Sequence, residues 1–353
     1  MAEHAKAVPE PVIKEGASII LDSAATPVAL DNGYADHKIC YWAGDGRGGR
    51  RIARAAYPAR ACMGVANINV AGGEDGVYHL DGDPWTVSPT LRDPDRMRGK
   101  AYATSDLNAV LVHHSLLRAG FGGVSVRLAT GVPISHFYAA NRPDTTFVSA
   151  IRSSLKVELE APGQAPLAAI DKHDVYPESV AAAIDWMLDD QGNAREAPSL
   201  GIAVCDIGGN TTDVSIIDGD FNIDAGRSGS REQLGVLNVR ETFGDLVRDR
   251  FAVSSVRDSQ LDDALRAGTI SLFGRQEPVL DLISEARRLT GRRVLQYVGE
   301  MVGDGADLDV VLFVGGGAEV LSSVIQEYPN AVVPEEPAFA NARGMLKQME
   351  FLS

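Results

Sequence analysis

Cysteine is scarce in this sequence, and so is positive charge. The three cysteines, Cys40, Cys62 and Cys205, are widely separated and form no Cys-x-x-Cys pair. That excludes a zinc ribbon and a thioredoxin-type site, and an odd, sparse count fits a reducing cytoplasm. Lys and Arg number 33 against 48 Asp and Glu, a net charge of −15. Phosphate contacts come from Lys and Arg, so a chain this acidic is a poor match for bare DNA or an anionic membrane. Work on nucleic acid would need a basic adaptor or a local patch. No apolar run reaches the roughly 18 residues of a membrane span. Residues 1–18 carry Glu3, Lys6, Glu10, Lys14 and Glu15 with no apolar core, so a secretory leader is not expected. No Gly-x-x-x-x-Gly-Lys-[Ser/Thr] occurs, which excludes a P-loop enzyme.

What is present suits a sizeable α/β protein. At roughly 100–200 residues per domain, 353 residues with 45% apolar content suggest two domains or one large one. Residues 1–26 read as an extension, because Pro9, Pro11, Gly16 and Pro27 interrupt any long helix. Then comes a hairpin pattern: Pro27–Leu30 as strand, Asp31-Asn32-Gly33 as turn, His37–Trp42 as return strand. The pattern recurs with Gly201–Cys205, the turn Asp206-Ile-Gly-Gly-Asn-Thr-Thr212 and the return Asp213–Ile217, after which Asp218-Gly219 opens another hairpin. Asp31 and Asp206 stand 175 residues apart, half the chain, which implies an internal duplication. Solenoid repeats have periods of about 20–50 residues, so two related, facing domains are the better reading. Helices are expected from the Ser105 cap to Gly120, from Pro177 at the first helical position through Leu188, and from Ala318 through Tyr328. Strands are expected at Val124–Leu128 and Val310–Val314. This alternation gives the α/β class.

Four pieces carry chemistry together: Asp31-x-Gly33 with Lys38, the stretch Asp206 to Asp213, Glu178 at a helix start, and Gly315-Gly316-Gly317 between a strand and a helix. A triphosphate needs backbone N–H groups brought close in glycine turns, Mg²⁺ held largely through water by one or two carboxylates, and a lysine on the phosphates. Two facing Asp-x-Gly hairpins supply all three. Asp31, Asn32, Gly33, Lys38, Gly208, Gly209, Asn210 and Thr211 are the expected phosphate-side contacts, with the Gly315–Gly317 turn toward the nucleoside. Asp31, Asp206 and Asp213 are the expected carboxylates toward Mg²⁺. Glu178, its charge favoured by the helix N-terminus, is expected to orient the attacking water, with Asp206 as the second catalytic group.

The set resembles the actin-like ATPase superfamily of actins, heat-shock chaperone ATPases and sugar kinases. Asp31-Asn-Gly33 with Lys38 looks like its first phosphate loop, Asp206 to Asp213 its second, and Val314-Gly-Gly-Gly-Ala-Glu319 its adenosine motif. Pro177-Glu178-Ser179 and Phe339–Leu346 look like its two connecting segments. Tyr102–Leu117 and Val175–Ser179 are similar to the plasmid-segregation (ParM/StbA) branch. The resemblance runs from Val28 to Leu346. It implies an extension over 1–26, domain I over 27–174, domain II over 175–334 and a segment 335–353 returning to domain I. It implies an ATPase, with GTP as the alternative nucleotide, that forms homopolymer filaments and moves plasmid DNA through an adaptor bound at a centromere-like site. It departs from the family in two places. Tyr34-Ala35 follow the first-loop glycine where the family usually has Ser or Thr, which removes one phosphate contact, and members usually begin close to the first strand.

Other features are set aside. Gly44-Asp-Gly46-Arg-Gly-Gly49 fits a dinucleotide fingerprint, but no clean helix start follows, so a loop is expected. His113-His114 are adjacent and cannot both face one metal from one helix; a surface or half-buried pair is expected. Arginines 47, 50, 51, 54, 60, 287, 288, 292 and 293 form either a solvated face or a contact with an acidic neighbour, another subunit included. Two alternatives of different class stay open. One is a monomeric kinase acting on a sugar or small acid, for which no acceptor base is identifiable. The other is a cell-shape filament or chaperone-like module, against which the acidic charge and the lack of an amphipathic start or peptide-binding domain speak.

Overall fold

The computed structural model describes residues 18–22, 24–65, 76–91, 94–139, 142–195, 198–218, 222–325 and 328–352. Most of the expected extension therefore lies outside the described residues, as does Gly219. Where it is described, Ile19 bridges Ala43 and the Ser18 carbonyl accepts the Gly44 N–H, so the chain runs along the first hairpin's far end.

Two five-stranded sheets share one topology. In the first, Thr26–Asn32, Asp36–Gly44 and Arg50–Pro58 form an antiparallel meander, and Ser125–Val132 then Ala169–Pro177 add in parallel beyond Thr26–Asn32. In the second, Ile202–Ile207, Thr211–Ile217 and Gly229–Glu232 form the meander, and Val310–Val314 then Ala331–Val332 add in parallel. The central strands Ile202–Ile207 and Val310–Val314 are buried along their whole length and apolar apart from Asp206, as suits strands covered on both faces. The expected hairpins form, but their strands are longer than read. Asp31, Asn32 and Asp206 belong to strands, and the turns are Gly33–Ala35 and Gly208–Asn210.

Two helices fill the space between the sheets. Ala181 of Glu178–Met187 joins Ala29, Cys40 and Trp42 of the first sheet, with Ala342, Met345 and Leu346 of the C-terminal helix Ala340–Phe351. Ala182, Ala183 and Met187 turn the other way, onto Val204, Leu312 and Val314 of the second sheet. Small residues let the two helices touch: a side chain on Gly344 would collide with the Ala181 carbonyl. Asp185 accepts from Arg343 at 2.6 Å and Lys347 at 2.9 Å across this contact, all three buried. Removing Asp185 would strand the buried charge of Arg343, at a cost of about 3–5 kcal/mol.

On the outer face of the first sheet lies the helix Asp106–Arg118, capped as expected by Ser105, whose hydroxyl accepts the Asn108 N–H. Ala109, Val112 and Leu116 pack on that sheet, while Leu107, Val110 and Leu111 pack on a smaller four-stranded sheet through Tyr78, Leu80, Trp85 and Val87. Covered on both sides, the helix buries His113 and His114, against the surface or half-buried placement expected. A His113 ring nitrogen meets the Leu155 carbonyl at 3.2 Å, and His114 Nδ1 meets the Tyr78 hydroxyl at 2.8 Å. The second sheet is covered by Leu237–Phe251 and Leu280–Val302 through Phe243, Val247, Ile283 and Val294.

Two further expectations are corrected. Pro177 has extended backbone and stands at the N-cap, with Glu178 as the first helical residue, because Pro177 still closes the strand Ala169–Pro177. The helix after the glycines is two short pieces, Gly316–Val320 and Ser322–Ile325, broken at Leu321; residues 326 and 327 lie outside the described set. Gly44–Gly49 closes a hairpin, as expected of a loop. Among the described residues no helix is long and apolar enough to cross a membrane.

Candidate functional site

The ends of Thr26–Asn32 and Ile202–Ile207 face each other across a cleft. Asp31, Asn32, Gly33, Lys38, Glu178, Asp206, Gly208, Gly209, Thr211, Asp213, Gly315 and Gly316 all line it. Residues drawn from both halves of the sequence thus converge on one space. The turns nearly touch: a methyl on Gly209 would sit 3.1 Å from Ala35 Cβ.

Charge dominates the site. Lys38 Nζ lies 3.5 Å from Asp31 Oδ2, its cross-strand partner. Asp206 Oδ2 accepts from Asn341 Nδ2 at 2.7 Å. Asp213 accepts from the Thr211 hydroxyl at 2.9 Å and from the Ser230 hydroxyl. Burial, then Asp31, push Asp206 up to about 7. Burial lifts Asp213 to about 6, against its two hydroxyl donors. Burial would lower Lys38, but Asp31, Asp36 and Asp206 outweigh it and hold the ammonium above its usual range.

Glu178 corrects the sequence reading. Its place at a helix start suggested a carboxylate held in charged form. Burial first, then Asp31, Asp206 and Asp213, instead raise its pKa well above the usual value, with Lys38 opposing. A helix end contributes about 0.3–1 kcal/mol at exposed sites, too little against desolvation beside three other acids. The approach is tight, since a side chain on Gly131 would press on Glu178 Cγ at 2.7 Å.

The glycine triplet divides. Gly315 has φ of 82°, and a Cβ there would collide with Asp206 and the Ile207 carbonyl. Gly317 would drive a Cβ into the Ile207 side chain, so it serves packing and does not line the cleft. A Cβ on Gly316 meets nothing within 4 Å, leaving its backbone open to the cleft. Asn210 also does not line the cleft: it is buried, and its side-chain oxygen accepts from Arg98 Nη1 at 2.6 Å. The sequence reading missed Arg98, Asn341 and the placement of Tyr34. The signal for Asn341 was available, since it sits in the motif Phe339–Leu346.

The donor set suits a metal–nucleotide rather than a bare anion. Three buried carboxylates, Asp31, Asp206 and Asp213, with the half-buried Glu178, against one lysine suit a free triphosphate poorly. Asn32 Oδ1 and Asn341 Oδ1 are buried without hydrogen-bond partners. Among the described residues no three His, Cys, Asp or Glu side chains converge closely enough to hold a metal directly. Mg²⁺ usually keeps several waters and takes one or two carboxylates plus phosphate oxygens, which fits this arrangement; a cage of Asp31, Asp206 and Asp213 does not.

The comparisons agree with this architecture. Residues 28–189 match the model of the plasmid segregation protein ParM, N-terminal, and residues 204–327 that of the archaeal actin homologue MreB-like, C-terminal. A crystal structure of an archaeal actin homologue superposes with a TM-score of 0.72 at 20% identity, covering 92% of this chain and 99% of the other. ParM from a 15-stranded Clostridium botulinum filament gives 0.68 at 18%, with the same coverages. Bacillus thuringiensis ParM with ADP gives 0.65 at 15%, again over 92% and 99%. A sequence comparison with curated proteins finds no match. With two lobes of one topology, a ParM-type first half and a second half of the archaeal actin-homologue type, the chain belongs to the actin-like superfamily.

Proposed function

We propose that the protein is a nucleotide-dependent, filament-forming ATPase, with GTP as the alternative nucleotide, whose filaments move plasmid DNA in the cytoplasm through a DNA-binding adaptor at a centromere-like site. The observation that carries this reading is the convergence of two Asp-headed hairpins, Lys38 and Glu178 in one cleft between two lobes. The known neighbours include a ParM filament and ParM with ADP, which supports the reading by analogy of fold.

In this reading Asp31 and Asp206 are the residues that would hold hydrated Mg²⁺ when it is bound with the nucleotide. When bound, the ion neutralises phosphate charge. Lys38 places a point charge on the phosphates, and the backbone of Gly33, Gly208 and Gly209 approaches them closely. Gly316 faces the nucleoside. Glu178, with its affinity for a proton raised by burial, orients the attacking water and accepts its proton. Nucleotide touching both hairpins favours the closed arrangement of lobes, and loss of the γ-phosphate removes part of that preference. The division into lobes at 27–174 and 175–334, with 335–353 returned to the first, is part of the proposal. Neither direct DNA contact nor membrane contact is required of so acidic a chain.

Light scattering and phosphate release, followed together with Mg²⁺–ATP and Mg²⁺–GTP, test this. Nucleotide-dependent scattering that decays as phosphate appears is expected. Turnover that depends on a small sugar or acid acceptor, without scattering, would establish a kinase instead.

A further inference from the structure

The two phosphate-side turns are also linked along one wall of the cleft, which Tyr34 and Gly99 line. Tyr34, in the first turn, puts its hydroxyl on a single residue: it accepts the Gly99 N–H at 3.0 Å and lies 3.4 Å from the Gly99 carbonyl. Its ring packs on Tyr102 with centroids 5.0 Å apart. Gly99 has φ of 75°, a left-handed conformation that suits glycine and turns both its polar groups toward one hydroxyl. The next residue back, Arg98, crosses to the other lobe and donates to Asn210 Oδ1 in the second turn. Asn210 is buried and is held from its own lobe by the Leu234 N–H at 3.0 Å from its carbonyl. Two residues further back, Arg96 pairs with Asp258 at 2.7 Å, at the head of the helix Asp258–Ala267.

We propose that residues 94–100 form a tie between the lobes, and that Tyr34 and Arg98 are positioning residues that set the separation of the two turns through Gly99 and Asn210. The length of Tyr34 is what makes this possible. A Ser or Thr hydroxyl at this position stays near the backbone of the turn, whereas the phenol reaches the strap. The residue that costs the first turn a short hydroxyl thus gives it a hold on the opposite turn. The inference rests on the nucleotide reading of the cleft for its effect on turnover, but not for the tie itself.

The experiment has two arms. In nucleotide-free protein, amide hydrogen exchange at Gly208–Thr211 is measured for wild type, Tyr34→Phe, Arg98→Ala and the double variant. Tyr34→Phe keeps the ring packing and removes the hydroxyl, and it changes the lobe opposite to the one being read. Faster exchange at Gly208–Thr211 in both single variants, with the double variant no faster than the quicker single, supports one shared link. Unchanged exchange in Tyr34→Phe, or effects that simply add, overturns the tie. In the second arm, phosphate release is measured against Mg²⁺–ATP concentration. Arg98→Ala is expected to raise KM by about tenfold or more, the scale of one hydrogen bond from a charged group, and Tyr34→Phe by about threefold to tenfold, the scale of a neutral one, each with a smaller change in kcat. Arg98→Lys should restore part of the loss. A wild type that neither binds nor hydrolyses nucleotide overturns the reading of the cleft, while the exchange arm still decides the tie.

Discussion

Lys38 and Asp213 occupy the same position in the two hairpins. Lys38 is the cross-strand partner of Asp31, and Asp213 is the cross-strand partner of Asp206, in equivalent antiparallel pairs. The duplicated fold therefore presents an ion pair on one side of the cleft and two facing acids on the other. Like charges directly opposite on a sheet are destabilising, and here the hydroxyls of Thr211 and Ser230 relieve Asp213 while Asn341 donates to Asp206. The asymmetry leaves the one lysine of the pair on one side of the cleft and an acid pair on the other.

Removing either half should have a distinct signature. Asp206→Ala is expected to lower phosphate release by ~10²-fold or more, the scale of one lost electrostatic contact to the transition state. Lys38→Ala is expected to weaken nucleotide binding by about tenfold to a hundredfold, as for a charge-assisted hydrogen bond. Calorimetric titration and single-turnover release separate the two. Normal turnover in Asp206→Ala would remove that residue from the site.

Gly316 and Gly317 are adjacent but should respond oppositely. Gly316→Val projects into open cleft and should weaken nucleotide binding while leaving the melting temperature near that of wild type. Gly317→Ala forces a methyl into the Ile207 side chain in the core and should destabilise the protein, by about 1–3 kcal/mol for overpacking. Equal nucleotide affinity in wild type and Gly316→Val would make the whole triplet a packing feature.

The strands, hairpins, paired aspartates and glycine turns were legible because each is set by local pattern: alternating or continuous apolar runs, and turn residues at fixed offsets. What stayed hidden depends on partners far along the chain. Tyr34 reaches Gly99, Arg98 reaches Asn210 and Asn341 reaches Asp206, and no periodicity connects those pairs. The histidine pair failed for the same reason, since the smaller four-stranded sheet that covers its helix is formed by residues both before and after it. Glu178 was found by its position, but the upward push on its pKa was missed, because it comes from burial first and then from acids on three other strands.

Buried histidines should give the fold an acid-sensitive component. His114 faces the Tyr78 hydroxyl, and burial, then Arg118, hold it down to about 3. His37 is likewise held at about 3 and His173 at about 4, both chiefly by burial. Unfolded histidine binds a proton near pH 6.5 and the folded form does not, so stability from these groups is present above about 6.5 and is lost as pH falls toward the folded values. Each contributes a slope of about 1.4 kcal/mol per pH unit well inside that window. Asp206 and Asp213, raised to about 7 and about 6, act with opposite sign, so the total slope does not isolate the histidines. The difference between wild type and His114→Gln does. Urea unfolding between pH 7 and pH 5 should show wild type losing its advantage over the variant as pH falls. A gap that stays constant with pH would mean His114 does not titrate on unfolding.

The net charge of −15 bears on how filaments would meet DNA. The purified protein alone should not shift a DNA fragment at physiological salt, with or without nucleotide. The arginines between 47 and 60 are partly committed within the chain, Arg50 to Glu350, Arg54 to Glu336 and Arg60 to the Leu91 carbonyl. A shift that weakens steeply with added salt would show a local basic patch able to replace an adaptor.

Glu178 tests the link between chemistry and assembly. Glu178→Gln keeps the shape of the side chain and its fit against Gly131, and removes the proton acceptor. In the proposed reading nucleotide binding and the closed arrangement of the lobes rest on Lys38, the aspartates and the glycine turns, so both should survive. Filament growth should therefore proceed at the wild-type nucleotide threshold. Phosphate release should fall by ~10²-fold, within the range for loss of a general base, and filaments should persist after wild-type filaments have disassembled. Scattering and released phosphate must be followed in one sample, because each alone is ambiguous: persistence without slowed release would mean a changed subunit contact, and slowed release without persistence would mean that disassembly does not await hydrolysis. Wild-type values of both would reduce Glu178 to the first residue of a helix.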